Sequence, residues 1–179
     1  MKAQVIKKLR VSQMKIKPNL FNYDTLSERF KWESIYEDLD WLPGGHLNKA
    51  HECIDRHANG SNGNKLALLW EGKNGEEESY TFLDLKHASN KFANVLRKLG
   101  VNKGDRVFLF MERVPELYIS VFGTLKTGAI AGPLFSAFGP EPVKDRLLDS
   151  RAKVLITTPD LRHRITSVLA DLPHLEHII

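Results

Sequence analysis

From Tyr80 to its last residue the chain repeats one unit, an amphipathic helix followed by a short apolar strand. Residues 107–111 (Val-Phe-Leu-Phe-Met) are apolar without alternation, as expected of a strand covered on both faces. Helices alternating with such strands imply right-handed crossovers and a parallel sheet. The final run, residues 175–179, reads as one more strand. A parallel strand needs a neighbour and a covering helix, so the expectation is a domain cut partway through.

The punctuation between elements is specific. Asn48 stands where it can cap a helix whose face carries Leu47, Ala50, Ile54 and His57. Residues 59–64 form a loop of turn-favouring types. Residues 65–70 then read as a strand, and Gly72-Lys73-Asn74-Gly75 predicts a hairpin returning through residues 78–81. Thr81, with Asp84 three residues on, approximates a capping box. The helix it opens has Phe82, Leu85, Ala88, Phe92, Val95, Leu96 and Leu99 on one face, and Gly100 ends it. Asp105 reads as a turn residue. Pro115 suits the first turn of the next helix, and Gly128 its end. A strand over 129–134, a helix near 140–149, a strand over 154–157 and a helix near 160–170 complete the pattern.

Composition narrows the class. At 179 residues there is enough chain for one sizeable core. No apolar stretch is long enough to span a bilayer, and no secretory signal opens the chain. The formal charge of +4 hints at nucleic acid, but its distribution argues against that partner. Lys2, Lys7, Lys8, Arg10, Lys15 and Lys17 all precede the first acidic residue, Asp24. Taking those six from 26 basic residues leaves 20 against 22 acidic ones, so the body is slightly acidic. The organisation reads as a basic arm (1–23), an aromatic-rich entry segment (24–64) and an α/β domain (65–179). Phe30, Trp32, Tyr36 and Trp41 in the entry segment suit a strap packed on a domain surface. Cys53 is the only cysteine and reads as a buried helix residue. Its lack of a disulfide partner suits a reducing cytoplasm. The histidines are scattered without metal-ligand spacing.

The residues then point to a family. Tyr80-Thr81-Phe82-Leu83-Asp84-Leu85 resembles the first core motif of the adenylate-forming superfamily. The run from Leu125 through Gly128 and Gly132 to Leu134 resembles its second core motif. Gly104-Asp105-Arg106-Val107 and Pro115-Glu116-Leu117-Tyr118 stand between them. Gly45-His46-Leu47-Asn48 and Ile54-Asp55-Arg56-His57 are similar to the entry segment of AMP-forming acetyl-CoA synthetases. Val143-Lys144-Asp145-Arg146 and the run 152–159 continue the match, which covers roughly residues 28–179.

The resemblance implies a partial N-terminal domain of the adenylate-forming fold, with flanking helices and a small antiparallel hairpin. It implies an acetate–CoA ligase: acetate or a short-chain carboxylate, ATP and Mg²⁺ give an acyl-adenylate, and coenzyme A displaces AMP. It also implies where coenzyme A rests. Phe135, Ser136 and Ala137 match the loop beside its adenine, and many relatives have two glycines where Ser136 and Ala137 stand. Arg162 and Arg164 match the basic residues at its 3′-phosphate. No catalytic residue and no metal ligand is assigned. The loop Gly60-Ser61-Asn62-Gly63-Asn64 is the only near candidate for a phosphate loop, and it precedes a strand where a helix is needed. The chain alone is therefore expected to be inactive and to hold none of these molecules tightly, with self-association through an open sheet edge. The alternative is a non-catalytic module of an acyl-CoA ligase relative that acts by binding.

Overall fold

The computed structural model describes residues 9–16, 18, 20 and 22–179. Much of the basic arm, with Lys2, Lys7, Lys8 and Lys17, lies outside the described residues. The chain divides into two units, Met1–Leu39 and Asp40–Ile179. The first carries α1 (Tyr23–Arg29) and α2 (Glu33–Tyr36). Phe30 and Trp32 meet edge to face at 5.3 Å within this unit.

The second unit opens with a π-helical turn, His51–Asp55, that runs into α3 (Arg56–Asn59). Asn48 caps it, its Oδ1 accepting from the Ala50 and His51 N–H groups. The buried stripe is Ala50, Ile54 and Ala58. Cys53 lies beside that stripe and is exposed, contrary to the reading of a buried thiol. One position along a helix is a quarter-turn away, which takes its side chain out of the packed face.

β1 (Leu66–Glu71) and β2 (Glu77–Thr81) form the expected antiparallel hairpin, with a bulge between Leu66 and Leu68. The Trp70 indole N–H donates to the Arg113 carbonyl at 2.7 Å and ties the hairpin to the body. α4 (Phe82–Lys98) starts on the predicted capping box. Asp84 N–H donates to Thr81 Oγ1 at 3.1 Å, and Thr81 N–H donates back to Asp84 Oδ2 at 2.9 Å. The Thr81 hydroxyl also donates to Asp84 Oδ2 at 2.6 Å, and that bond first, with the Thr81 N–H bond second, holds Asp84 below its ordinary pKa.

A four-stranded parallel sheet follows: β3 (Arg106–Phe110), α5 (Pro115–Thr127), β4 (Ile130–Leu134), α6 (Pro140–Ser150), β5 (Val154–Thr157), α7 (Pro159–Ile165) and β6 (His177–Ile178). The strand order is β4-β3-β5-β6. The predicted last helix is shorter than expected, because its second half winds as a 3-10 turn, Thr166–Asp171. From β3 the chain moves one way to β4, then crosses back to β5 on the other side. α4 and α5 cover one sheet face, packing on Val107, Leu109, Val154 and Ile156. α6 and α7 cover the other, on Phe110, Leu134 and Leu155. Successive strand residues thus feed opposite cores. Pro133, which has no N–H to donate, sits on the edge strand β4.

Two local devices align this sheet. Gly132 pairs with Phe108 across β3 and β4. A Cβ at Gly132 would lie 2.7 Å from the Phe108 ring. At the amino end, the Arg106 guanidinium donates to the Ser150 and Arg151 carbonyls, both at 2.7 Å, and so closes the C-terminus of α6. Beside it, Asp105 Oδ2 accepts from the Asn102 N–H at 2.9 Å and from Lys153 Nζ at 3.2 Å. That turn bond, aided by Lys153, lowers the Asp105 pKa against the opposing effect of its burial.

Gly132→Ala should destabilise the second unit by about 1–3 kcal/mol through overpacking against Phe108. A midpoint unchanged in urea unfolding would refute the close approach. For Asp105 the folded pKa is depressed, so its stabilisation is complete above the unfolded value of about 3.9 and is lost as pH falls through the folded value. Asp105→Asn should therefore lower stability by about 0.5–1.5 kcal/mol at neutral pH. The gap from wild type should close in acid. A gap constant from neutrality down to the acid limb would show that the carboxylate is not the source.

Candidate functional site

In a doubly wound sheet, ligands bind outside the carboxyl ends of the strands, where successive connections leave in opposite directions. Here β3 connects toward β4 and β5 toward β6, so that end carries the β3–α5, β4–α6 and β5–α7 loops. The candidates Phe135, Ser136 and Ala137 form the β4–α6 loop. Arg162 and Arg164 lie on α7.

The loop has a defined shape. The Phe138 N–H donates to the Phe135 carbonyl at 3.0 Å. The two phenyl rings meet edge to face, 5.7 Å apart at 85°. The Arg146 guanidinium, from α6, sits 4.4 Å above the Phe138 ring. Phe138 is thereby pinned, while Phe135 stays 65% exposed and presents a free aromatic surface. Neither Ser136 nor Ala137 has a positive φ. This loop needs no glycine at either position.

Arg164 is brought to the same loop. Its Nη1 donates to the Ser136 carbonyl at 2.5 Å and to the Phe138 carbonyl at 3.4 Å. Arg162 is not. Two residues apart on a helix, the side chains diverge by about 200°. Arg162 instead lines a surface cavity of about 460 Å³ at the end of β5, with Thr157, Thr158, His163, Ile178 and Ile179. The structure thus separates the two arginines that the sequence places as a pair. It adds Phe138, Arg146 and His163. Phe138 was legible as a second aromatic three residues after Phe135, and Arg146 lies within a quoted motif. Their contact was not legible, since it joins a loop to a helix face eight positions on.

The loop at Gly60–Asn64 does not fit a nucleotide's phosphates. Its Gly63 N–H is spent on the Gly60 carbonyl, and the Lys65 N–H that follows is spent on Asn62. It leads into β1 rather than a helix. Among the described residues no group of three or more His, Cys, Asp or Glu side chains is placed to hold a metal ion. No described helix is long and apolar enough to cross a membrane.

Comparison with known proteins agrees with this architecture. The family model described as AMP-binding enzyme matches residues 54–179. The acetyl-coenzyme A synthetase of Bacillus subtilis (strain 168) is 49% identical over 161 residues, which is 89% of this chain and 28% of that protein. The acetyl-coenzyme A synthetase of Gemmatimonas aurantiaca is 37% identical over 162 residues, 86% of this chain and 24% of that protein. The chain therefore spans about a quarter of these relatives' length. Among solved structures, a Brucella canis acyl-CoA synthetase superposes with a TM-score of 0.76 at 31% identity, over 87% of this chain and 28% of that one. The anthranilate CoA ligase AuaEII, solved with anthranoyl-AMP, superposes at 0.67 and 32% identity, over 79% of this chain and 25% of that one. The order of elements, the core motifs and the superposition describe one fold, and the family match covers well over half the chain: this protein belongs to the AMP-binding enzyme family and carries part of its adenylate-forming architecture.

Proposed function

We propose that the protein is an AMP-forming acetate–CoA ligase, and that this chain is the part of it that receives the nucleotide end of coenzyme A. The observation that carries the reading is the high identity to a bacterial acetyl-coenzyme A synthetase along nearly the whole chain. In this reading acetate, or a short-chain carboxylate, reacts with ATP and Mg²⁺ to give an acyl-adenylate, and the thiol of coenzyme A then takes the acyl group. The Gly63 and Lys65 N–H groups are spent within their own loop, and this reading assigns the ATP and Mg²⁺ steps to other parts of the protein. A cytoplasmic location and the three-part organisation (1–23, 24–64, 65–179) go with this proposal.

The residues present do fit coenzyme A. The exposed face of Phe135 suits an adenine, and the Ser136–Ala137 backbone lies beside it. Arg162 opens onto a cavity with room for a phosphate, and its guanidinium fork suits that group. Arg164 spends Nη1 on two loop carbonyls, so it acts as a positioning residue for the adenine loop.

The intact protein should catalyse acetate-dependent exchange of pyrophosphate into ATP, and the 179-residue chain alone should not. Exchange by the chain alone, or none by the intact protein with any short carboxylate, would overturn the reading. Arg162→Ala in the intact protein should raise the KM for coenzyme A by roughly 10- to 150-fold, the loss of one charge-assisted contact. It should leave dephospho-coenzyme A unaffected, because that thiol lacks the 3′-phosphate. Arg164→Ala should raise the KM for both thiols, since it loosens the loop that both use. If Arg164→Ala affected only the phosphorylated thiol, the roles would be exchanged.

A further inference from the structure

Away from the carboxyl end of the sheet, a cavity of about 390 Å³ opens between α4, the last turn of α5 and the π-helical turn before α3. Its volume suits a small molecule. None of its lining residues belongs to the β4–α6 loop or α7. Asn90, Asn94 and Arg97 reach it from one face of α4, Lys126 from α5, and His51 and Asp55 from the π-helical turn.

The charges sort cleanly. Lys126 is the fixed floor, its side chain only 9% exposed. Its Nζ donates to Asp55 Oδ1 at 2.6 Å and to Asn90 Oδ1 at 2.7 Å. These bonds fix the ammonium, and Asp55 offsets its charge. They also orient Asn90, because an amide that accepts through Oδ1 keeps its NH₂ for another partner. His51 Nε2 faces Asp40 Oδ2 at 2.9 Å. Each acidic group at the cavity is thus paired. The side chains of Arg97 and Asn94 have no hydrogen bond or ion pair among the described residues. Arg97 also stands in the last turn of α4, where a cation offsets the helix C-terminus. That role uses none of its donors and leaves the fork open.

An unpaired guanidinium beside two amide donors, above a neutralised floor, is built for an oxyanion. We propose that this cavity is a second binding site, for a small carboxylate or phosphate, gripped by Arg97 with Asn94 and Asn90 beside it. The proposal stands apart from the coenzyme A reading, since the two share no residue.

The test is an NMR titration of the full chain, following the side-chain amides of Asn90 and Asn94 and the Arg97 Nε–H. Succinate and inorganic phosphate are added separately, at ionic strength held constant with chloride. Saturable shifts are expected with at least one probe, and the probe that saturates identifies the carboxylate or the phosphate as the anion read. Arg97→Gln should weaken that binding roughly tenfold or more. Asn94→Leu, which keeps the charge, should weaken it too. Both positions are exposed on α4, so neither change removes a core contact. Shifts that stay linear for both probes, or affinity unchanged in Arg97→Gln, would overturn the proposal.

Discussion

Everything in the second unit hangs on β3. It lies between β4 and β5, and Val107, Leu109 and Phe110 within it are fully buried. Val107 and Leu109 point into the core under α4 and α5, and Phe110 into the core under α6 and α7. A strand buried on both faces tolerates neither a register slip nor an unpaired backbone group, because a slip of one residue exchanges its two faces. The chain answers with Gly132, which lets β4 close onto Phe108, and with Arg106, which fixes the end of α6 over the same strand.

That rigid centre explains how a loop becomes a site. The strand ends set where the β4–α6 loop begins, but not its shape. Its shape comes from a phenyl pair, a guanidinium over one ring and a second guanidinium on two carbonyls. Two arginines from two helices thus hold one short loop, and Phe135 is left as its exposed aromatic. A binding surface needs such preorganisation, because a side chain ordered in advance loses less entropy on binding.

Elements with strong local codes were legible in the chain. The capping box at Thr81 and Asp84, the terminating Gly100 and Gly128, and the Asn-Gly hairpin each satisfy backbone groups within a few residues, so composition and spacing reveal them. The adenylate-forming resemblance was legible for a related reason: its motifs sit at these same junctions. Cys53 was misread, because burial depends on which face of a helix meets a neighbour. A π-helical turn alters the count by which faces are assigned.

By itself the sequence determined the alternation of helices and strands, their approximate ends and the family to which they belong. Periods of two and 3.6 are written residue by residue, and local hydrogen bonds enforce them. Only the tertiary structure decided the strand order β4-β3-β5-β6, the divergence of Arg162 from Arg164 and the burial of Lys126 against Asp55. The partners in these contacts are far apart in the chain, 28 residues for Arg164 and Ser136 and 71 for Lys126 and Asp55. No local pattern encodes which distant carbonyl or carboxylate a long cationic side chain will reach. That choice is made when the two helix layers close on the sheet.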